Sequence, residues 1–230
     1  MALSKLVSII YCTSNQEALE FEQRIKDNIL KVCGNLPIIS VSQKPIDFGK
    51  NICVGDDVGV SGFNFFRQVQ IACETAKTKF VVSAEADCLY PKDYFEFIPP
   101  TDDKCYRNSN LYVMAHKRPI FWKKEEGATH AQIISREYYL KRLNKLFKGA
   151  PQWCAEEKNF PRERHRKVDV FEPNEIIHYQ TKNPVVQIKT SSSMRHYTCS
   201  DRKDRYNIPY WGGSIKFREK YYDIKKGRKH

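Results

Sequence analysis

The chain has 230 residues, 41% of them apolar, which is enough to bury a sizeable core and excludes disorder or a fibre. Its formal net charge is +12, and the excess is one-sided. Residues 1–115 carry 12 Lys and Arg against 14 Asp and Glu, whereas residues 116–230 carry 27 against 13. A near-neutral half joined to a strongly basic half suggests two jobs in one chain, the basic one directed at nucleic acid, an anionic membrane or an acidic polymer.

In chain order, Leu6–Tyr11 is a continuous apolar run rich in β-branched residues, as in a strand covered on both faces. Ala18, Phe21, Ile25, Ile29 and Val32 then recur at helical spacing. Ser14–Asn15 stands in capping position, and Gly34 closes the helix. Pro37–Val41 is a second buried-type strand, and residues 42–60, with Pro45, Gly49, Gly55 and Gly59, read as a long loop. Ser61 is placed to cap a helix that turns Phe65, Phe66, Val69, Cys73 and Ala76 inward. Lys79–Ala84 forms a third strand and runs into Glu85-Ala86-Asp87. This alternation of strand and helix implies a parallel sheet with right-handed crossovers.

The second half is more mixed. Leu111–Ala115 and Ile120–Trp122 read as strands flanking the basic turn His116–Pro119. Thr129–Ser135 is a further strand, and Arg136–Phe147 a helix ended by Gly149. Val168–Phe171 and Val185–Lys189 are short strand candidates within charge-dense sequence, and the last thirty residues hold 10 Lys and Arg against 4 Asp and Glu. No repeat or low-complexity linker divides the chain. The economical description is one α/β domain over 1–230, with a near-neutral half (1–100), a second half (101–200) and a basic, aromatic C-terminal extension (201–230).

The eight cysteines are widely spaced, with no C-x-x-C and no zinc-finger pairing with histidine, so buried reduced thiols are expected. The opening MALSKLVSIIYCTS lacks the features of a signal peptide, and no stretch approaches the roughly 20 apolar residues of a membrane span. The expectation is a cytoplasmic protein.

Open parallel α/β sheets bind ligands beyond the carboxyl ends of their strands. Three segments arrive there: Cys12–Asn15, Ser42–Lys44 and Glu85–Asp87. Carboxylates two residues apart in extended chain point to one side, so Glu85 and Asp87 supply hard oxygen ligands for a divalent cation bound to a diphosphate. A solvated acidic turn is the plain alternative. No P-loop, dinucleotide fingerprint or nucleophile elbow competes, so phosphate contacts must come from the metal and from scattered basic side chains.

Together, VSIIYCTSN, GVSGFNFFRQVQIACETAKTKFVVSAEADCLYP and THAQIISREYYL resemble the GT-A (Rossmann-like) fold of nucleotide-sugar glycosyltransferases, family 2-like members most of all. The resemblance spans roughly residues 5–200. It implies a mixed sheet flanked by helices, a nucleoside-diphosphate sugar donor and a divalent metal, Mn²⁺ or Mg²⁺. By the same resemblance Thr13 and Ser14 contact the donor nucleotide, and Arg67 approaches its diphosphate. Asp87 binds metal, and Glu85 stands where the family more often has an Asp that contacts the donor ribose, with metal binding as its other role.

Glu157, with Glu156 as second choice, falls where the family places the base of an inverting transfer, which a poorly nucleophilic hydroxyl acceptor requires. The pair also reads as exposed side chains beside Lys158. His196 is the best candidate for a late metal ligand, ahead of His178 and His165. Lys203 and Arg205 could neutralise the leaving diphosphate or be a solvated loop.

Tyr206–Gly213, with Tyr210 and Trp211, suits stacking on a base or a sugar ring of the acceptor, or docking into the core. The chain is similar to small basic phage-type proteins thought to glycosylate hydroxymethylated pyrimidines, which implies an enzyme whose anionic acceptor is DNA. The enzyme implied is a hexosyl- or pentosyltransferase, and a surface polysaccharide or a lipid-linked glycan, with the basic face on anionic membrane, is the alternative acceptor. A non-catalytic nucleic-acid-binding protein on the same fold is the alternative of another class.

Overall fold

The structure is a computed structural model and describes residues 2–155, 169–194 and 199–223. Its elements in chain order are β1 (Val7–Thr13), α1 (Leu19–Val32), β2 (Ile38–Ser42), β3 (Lys50–Cys53), α2 (Gly62–Thr75), β4 (Phe80–Glu85), β5 (Cys88–Leu89) and α3 (Lys92–Glu96). They continue as β6 (Cys105–Asn108), β7 (Leu111–Ala115), β8 (Arg118–Lys123), β9 (Gln132–Ser135), α4 (Arg136–Leu146), β10 (Ile176–Tyr179), β11 (Val185–Lys189), β12 (Asn207–Ile208), β13 (Gly212–Gly213) and α5 (Ser214–Tyr221). The result is the mixed α/β architecture expected from the sequence, a large mixed sheet flanked by helices.

A seven-stranded sheet in the order β10-β6-β9-β4-β1-β2-β3 organises the molecule. β1 pairs in parallel with both β2 and β4, and β3 continues the parallel run beyond β2. β9 then enters antiparallel between β4 and β6. All seven residues of β1 are buried because both faces of the sheet are covered. Their alternation sends Val7, Ile9 and Tyr11 into one core with Phe21, Ile25 and Ile29 of α1. Ile10 and Cys12 go into the other, with Phe63, Phe66 and Val69 of α2 and Tyr139 and Leu143 of α4. Each such fully buried large side chain contributes about 1.5–3 kcal/mol, so the two helical layers hold the central strand from both sides.

A second, four-stranded sheet runs β5-β11-β7-β8. It attaches to the first through β5, which follows β4 after a two-residue turn, so β11 is brought antiparallel against the chain that carries Asp87.

The structure differs from the sequence expectation at several places. The 42–60 segment is no uninterrupted loop, because Lys50–Cys53 adds a parallel edge strand with Asn51 Nδ2 donating to Ser42 Oγ at 2.9 Å. Thr129–Ala131 forms a 3-10 turn, leaving only Gln132–Ser135 as strand. Of the 168–171 strand candidate, the described residues 169–171 make no strand. Val170 and Phe171 instead pack into the α2/α4 core, and Asp169 clamps Arg107 through two oxygens at 2.6 and 2.7 Å.

Residues 201–223 of the basic C-terminal stretch fold back on the domain. Ile208 and Phe217 are buried in the main core, the Phe217 ring lies 5.1 Å from that of Phe121 on β8, and Trp211 Nε1 donates to the Pro184 carbonyl at 2.6 Å. The aromatic residues between the charges are what anchor this segment. Cys12, Cys33, Cys73, Cys88 and Cys105 are buried thiols, as expected. Among the described residues no helix is long and apolar enough to cross a membrane.

Candidate active site

An open cleft of about 100 Å³ lies at the carboxyl ends of β1 and β4, beside the N-terminus of α2. That is the position at which a parallel α/β sheet leaves backbone groups and loops free to meet a ligand. Thr13 and Ser14 line it from β1, Glu85, Ala86 and Asp87 from β4, and Ser61, Asn64, Phe65 and Gln68 from α2. Four residues selected from the sequence, Thr13, Ser14, Glu85 and Asp87, therefore share one cleft.

The cleft walls are tied together by side chains. Gln68 Nε2 donates to the Thr13 carbonyl at 3.0 Å, closing α2 onto the end of β1. Ser61 Oγ caps α2 by accepting from Asn64 N–H at 3.0 Å, as the sequence predicts, and donates to the Cys154 carbonyl at 2.6 Å. Asn64 returns the contact by accepting from Cys154 N–H at 2.7 Å. Gln43 Nε2 donates to Gly59 O at 2.7 Å. Gly59 has φ +80°, and a Cβ there would stand 2.8 Å from Cβ of Ala155, so this lip of the cleft requires glycine. A helix N-terminus at the rim favours an anion, because its first N–H groups and its dipole point outward.

The floor is acidic. Asp87 Oδ2 accepts from Gln187 Nε2 at 2.9 Å and Asp87 Oδ1 from the Cys88 thiol at 3.1 Å, while Ile188 N–H donates to the Asp87 carbonyl at 2.8 Å. Burial pushes the Glu85 carboxyl up to about 8, the Asp87 charge adds to this, and Lys189 and Lys124 oppose it. Glu17, at the mouth, accepts from Thr190 Oγ1 at 2.7 Å. Burial pushes it up to about 7 against that hydrogen bond, with Asp87 and Glu22 adding.

A buried carboxyl whose proton affinity is raised by burial and by a neighbouring carboxylate forms with it a donor set that a hard divalent cation relieves. Beside them the buried Gln187 Oε1 has no hydrogen-bond partner among the described residues. These oxygens fit such a cation. Among the described residues no group of three His, Cys, Asp or Glu side chains converges, so the remaining ligands of a cation would have to come from elsewhere, a bound diphosphate among them.

The other sequence-selected residues stand apart. Arg67 faces away from the cleft: its guanidinium stacks on Phe147 at 3.8 Å and donates to the Pro151 carbonyl at 2.6 Å, so it holds the 150–151 turn against α2. Arg205 is clamped to Asp201 by contacts of 2.9 and 2.6 Å and bridges to Phe121 at the edge of the second sheet. Neither it nor Lys203 lines the cleft.

Tyr210 and Trp211 sit near Lys31 at the far end of α1, about 18 Å along that helix from its start at the cleft. The structure thus separates them from that cleft. Glu156, Glu157, His165 and His196 lie outside the described residues. Conversely, Glu17, Gln68, Gln187, Ser192 and Ser193 belong to the cleft or its support without having been selected. Gln187 carried a signal, being the one neutral polar residue in the apolar run VVQIK.

No protein-family model matches the sequence, and no curated protein matches it. Solved structures with a similar fold include a glycosyltransferase involved in the glycosylation of the major capsid of PBCV-1, at 15% identity and TM-score 0.44, covering 79% of this chain and 93% of that one. S. aureus TarS 1–349 in complex with UDP-GlcNAc is similar at 11% identity and TM-score 0.47, covering 82% and 60%. The glycosyltransferase GlyE of Streptococcus pneumoniae TIGR4 is similar at 8% identity and TM-score 0.45, covering 76% and 45%. The overlaps are partial, and the functional reading stands on the cleft itself.

Proposed function

We propose that this protein transfers a sugar from a nucleoside-diphosphate sugar to a hydroxyl acceptor, with inversion, in the cleft at the ends of β1 and β4. The observation that carries the reading is the convergence of Glu85 and Asp87 with Thr13, Ser14 and the N-terminus of α2. In this reading Thr13 and Ser14 flank the nucleotide and the α2 N-terminus receives a phosphate oxygen. Asp87 and Glu85 would hold the Mn²⁺ or Mg²⁺, which supplies charge neutralisation for the departing diphosphate. Gln187 fixes the carboxylate of Asp87, so the ligand is oriented before donor arrives.

The acceptor oxygen attacks the anomeric carbon and its proton passes to a carboxylate, Glu157 first and Glu156 second. The bond from that carbon to the diphosphate oxygen breaks, releasing the nucleoside diphosphate. Both glutamates keep the role assigned from the sequence, as does His196 as a further metal ligand.

The acceptor is anionic, since the second half of the chain carries 27 basic against 13 acidic side chains. Within that class the reading favours a hydroxymethylated pyrimidine in DNA, extruded or single-stranded so that its hydroxyl reaches the donor. The test is a panel of nucleotide sugars with Mn²⁺ or Mg²⁺ against plain and hydroxymethylated DNA, read by the mass of the digested nucleosides. A hexose or pentose mass added only to the hydroxymethylated nucleoside supports it. Turnover of donor with no change in DNA moves the acceptor to a glycan, and no turnover of any donor removes the reading.

A further inference from the structure

A second cleft lies between the C-terminal end of α1 and α5, remote from the first. Three lysines, Lys31, Lys216 and Lys220, face it together with Tyr210 and Trp211, and no Asp or Glu lines it. None of the three lysines forms an ion pair with a described residue. Lys216 and Lys220 lie one turn apart on α5, a like-charge pairing that costs helix stability unless an anion joins them. Trp211 is fixed by its bond to the Pro184 carbonyl, and Tyr210, at φ +69°, stands edge-on to it and is 54% exposed as a residue.

The deepest polar group is Asn28, 8% exposed. Its Oδ1 is taken by Tyr90 N–H at 3.0 Å, and its Nδ2 has no partner among the described residues. The site therefore offers three cationic heads, the Asn28 amide donor and an exposed aromatic face, and no carboxylate. Those are the complements of phosphodiester oxygens, a sugar or base oxygen, and a base.

We propose that this cleft binds a single-stranded segment of nucleic acid, its phosphates on Lys31, Lys216 and Lys220 and a base stacked on Tyr210. The segment occupies a site about 18 Å from the donor cleft, so it is a second hold on the polymer and not the acceptor position. This binding does not depend on sugar transfer being the activity.

The test is fluorescence anisotropy of a labelled 20-nucleotide oligo-dT against the full chain over a salt series, without donor. Lys216→Ala/Lys220→Ala should weaken binding at least tenfold and reduce the salt slope by about 1.4, two counterions' worth for a single strand. Tyr210→Ala should weaken it about tenfold with the slope unchanged. Matching circular dichroism and melting temperature for the variants keeps a folding defect from imitating the result. Parental affinity in the double lysine variant, or no affinity for oligo-dT in the parent, overturns the proposal. Equal competition by an anionic polysaccharide of matched charge also overturns it, in favour of a glycan site. Nucleotide-sugar turnover measured on the double lysine variant should equal the parent's, which separates this site's failure from failure of the transferase reading.

Discussion

Gln187 Nε2 donates to Asp87 Oδ2 at 2.9 Å, across the antiparallel pairing of β11 with β5. The bond links a polar residue of the second sheet to the acidic floor at the end of the first. It explains why a strand whose other buried residues are Val185, Val186 and Ile188 tolerates a buried amide. An outer hydrogen bond of this kind orients a ligating carboxylate. Gln187→Ala should therefore raise the Mn²⁺ concentration needed for half-maximal donor turnover by about 10–100-fold, while circular dichroism reports a folded chain. A variant with parental metal dependence would show that Asp87 is held without Gln187.

Glu17 gives the cleft mouth a pH dependence. Its carboxyl is pushed up to about 7 in the folded chain, from 4.5, with burial the largest cause. The native state then binds more protons than the unfolded chain between about pH 4.5 and 7, so this group's contribution falls as pH rises through that window and levels off above it. Glu17→Gln keeps an oxygen for Thr190 and removes the titration. It should unfold at higher urea than the parent at pH 8, by about 1 kcal/mol after solvent screening, and at the same urea at pH 4. Equal stability at both pH values would show that Glu17 titrates normally.

The Arg107–Asp169 pair joins β6 to the segment that leads into Phe171. Its side chains are 7% and 26% exposed, and Asp169 also accepts from Phe171 N–H at 3.1 Å. Asp169→Ala strands a buried guanidinium and should cost about 3 kcal/mol in urea unfolding. A loss under 0.5 kcal/mol, the range of an ordinary surface change, would mean that the pair does not hold that segment.

Gly59 marks the cleft lip. With φ +80° and only 2.8 Å between an added Cβ and Ala155, Gly59→Ala should destabilise the chain by about 1–3 kcal/mol. It should also weaken donor affinity more than it changes the rate at saturating donor, because the displaced loop lines the cleft without carrying the acidic pair. A rate defect at unchanged affinity would contradict that assignment.

Much of the framework was legible in the sequence, for identifiable reasons. β11 spans Val185–Lys189 and β7 Leu111–Ala115, as read from their apolar runs, and Ser61 caps α2 as its side-chain chemistry requires. β3, β6 and β10 escaped because they are short and carry polar residues that only tertiary contacts satisfy, such as Arg107 with Asp169 and Asn108 with Thr181.

Thr13, Ser14, Glu85 and Asp87 line one cleft because strand ends fix where a loop must go. Arg67 does not, because helix phase decides its direction. Asn64 and Gln68, one turn apart, face the cleft, and Arg67 is rotated by about 100° from Gln68 toward Phe147. Tyr210 and Trp211, read from the sequence either as a stacking platform or as aromatics docking into the core, lie apart from the cleft because α5 packs against α1 near its C-terminal end.

The proposed role of the acidic floor as the seat of metal-assisted sugar transfer is measured most directly by nucleotide-sugar turnover with Mn²⁺ for the parent and for Asp87→Ala. Turnover in the parent should disappear with a chelator and fall at least a hundredfold in a folded Asp87→Ala chain. Equal turnover in the two proteins, or turnover indifferent to the chelator, would contradict that role.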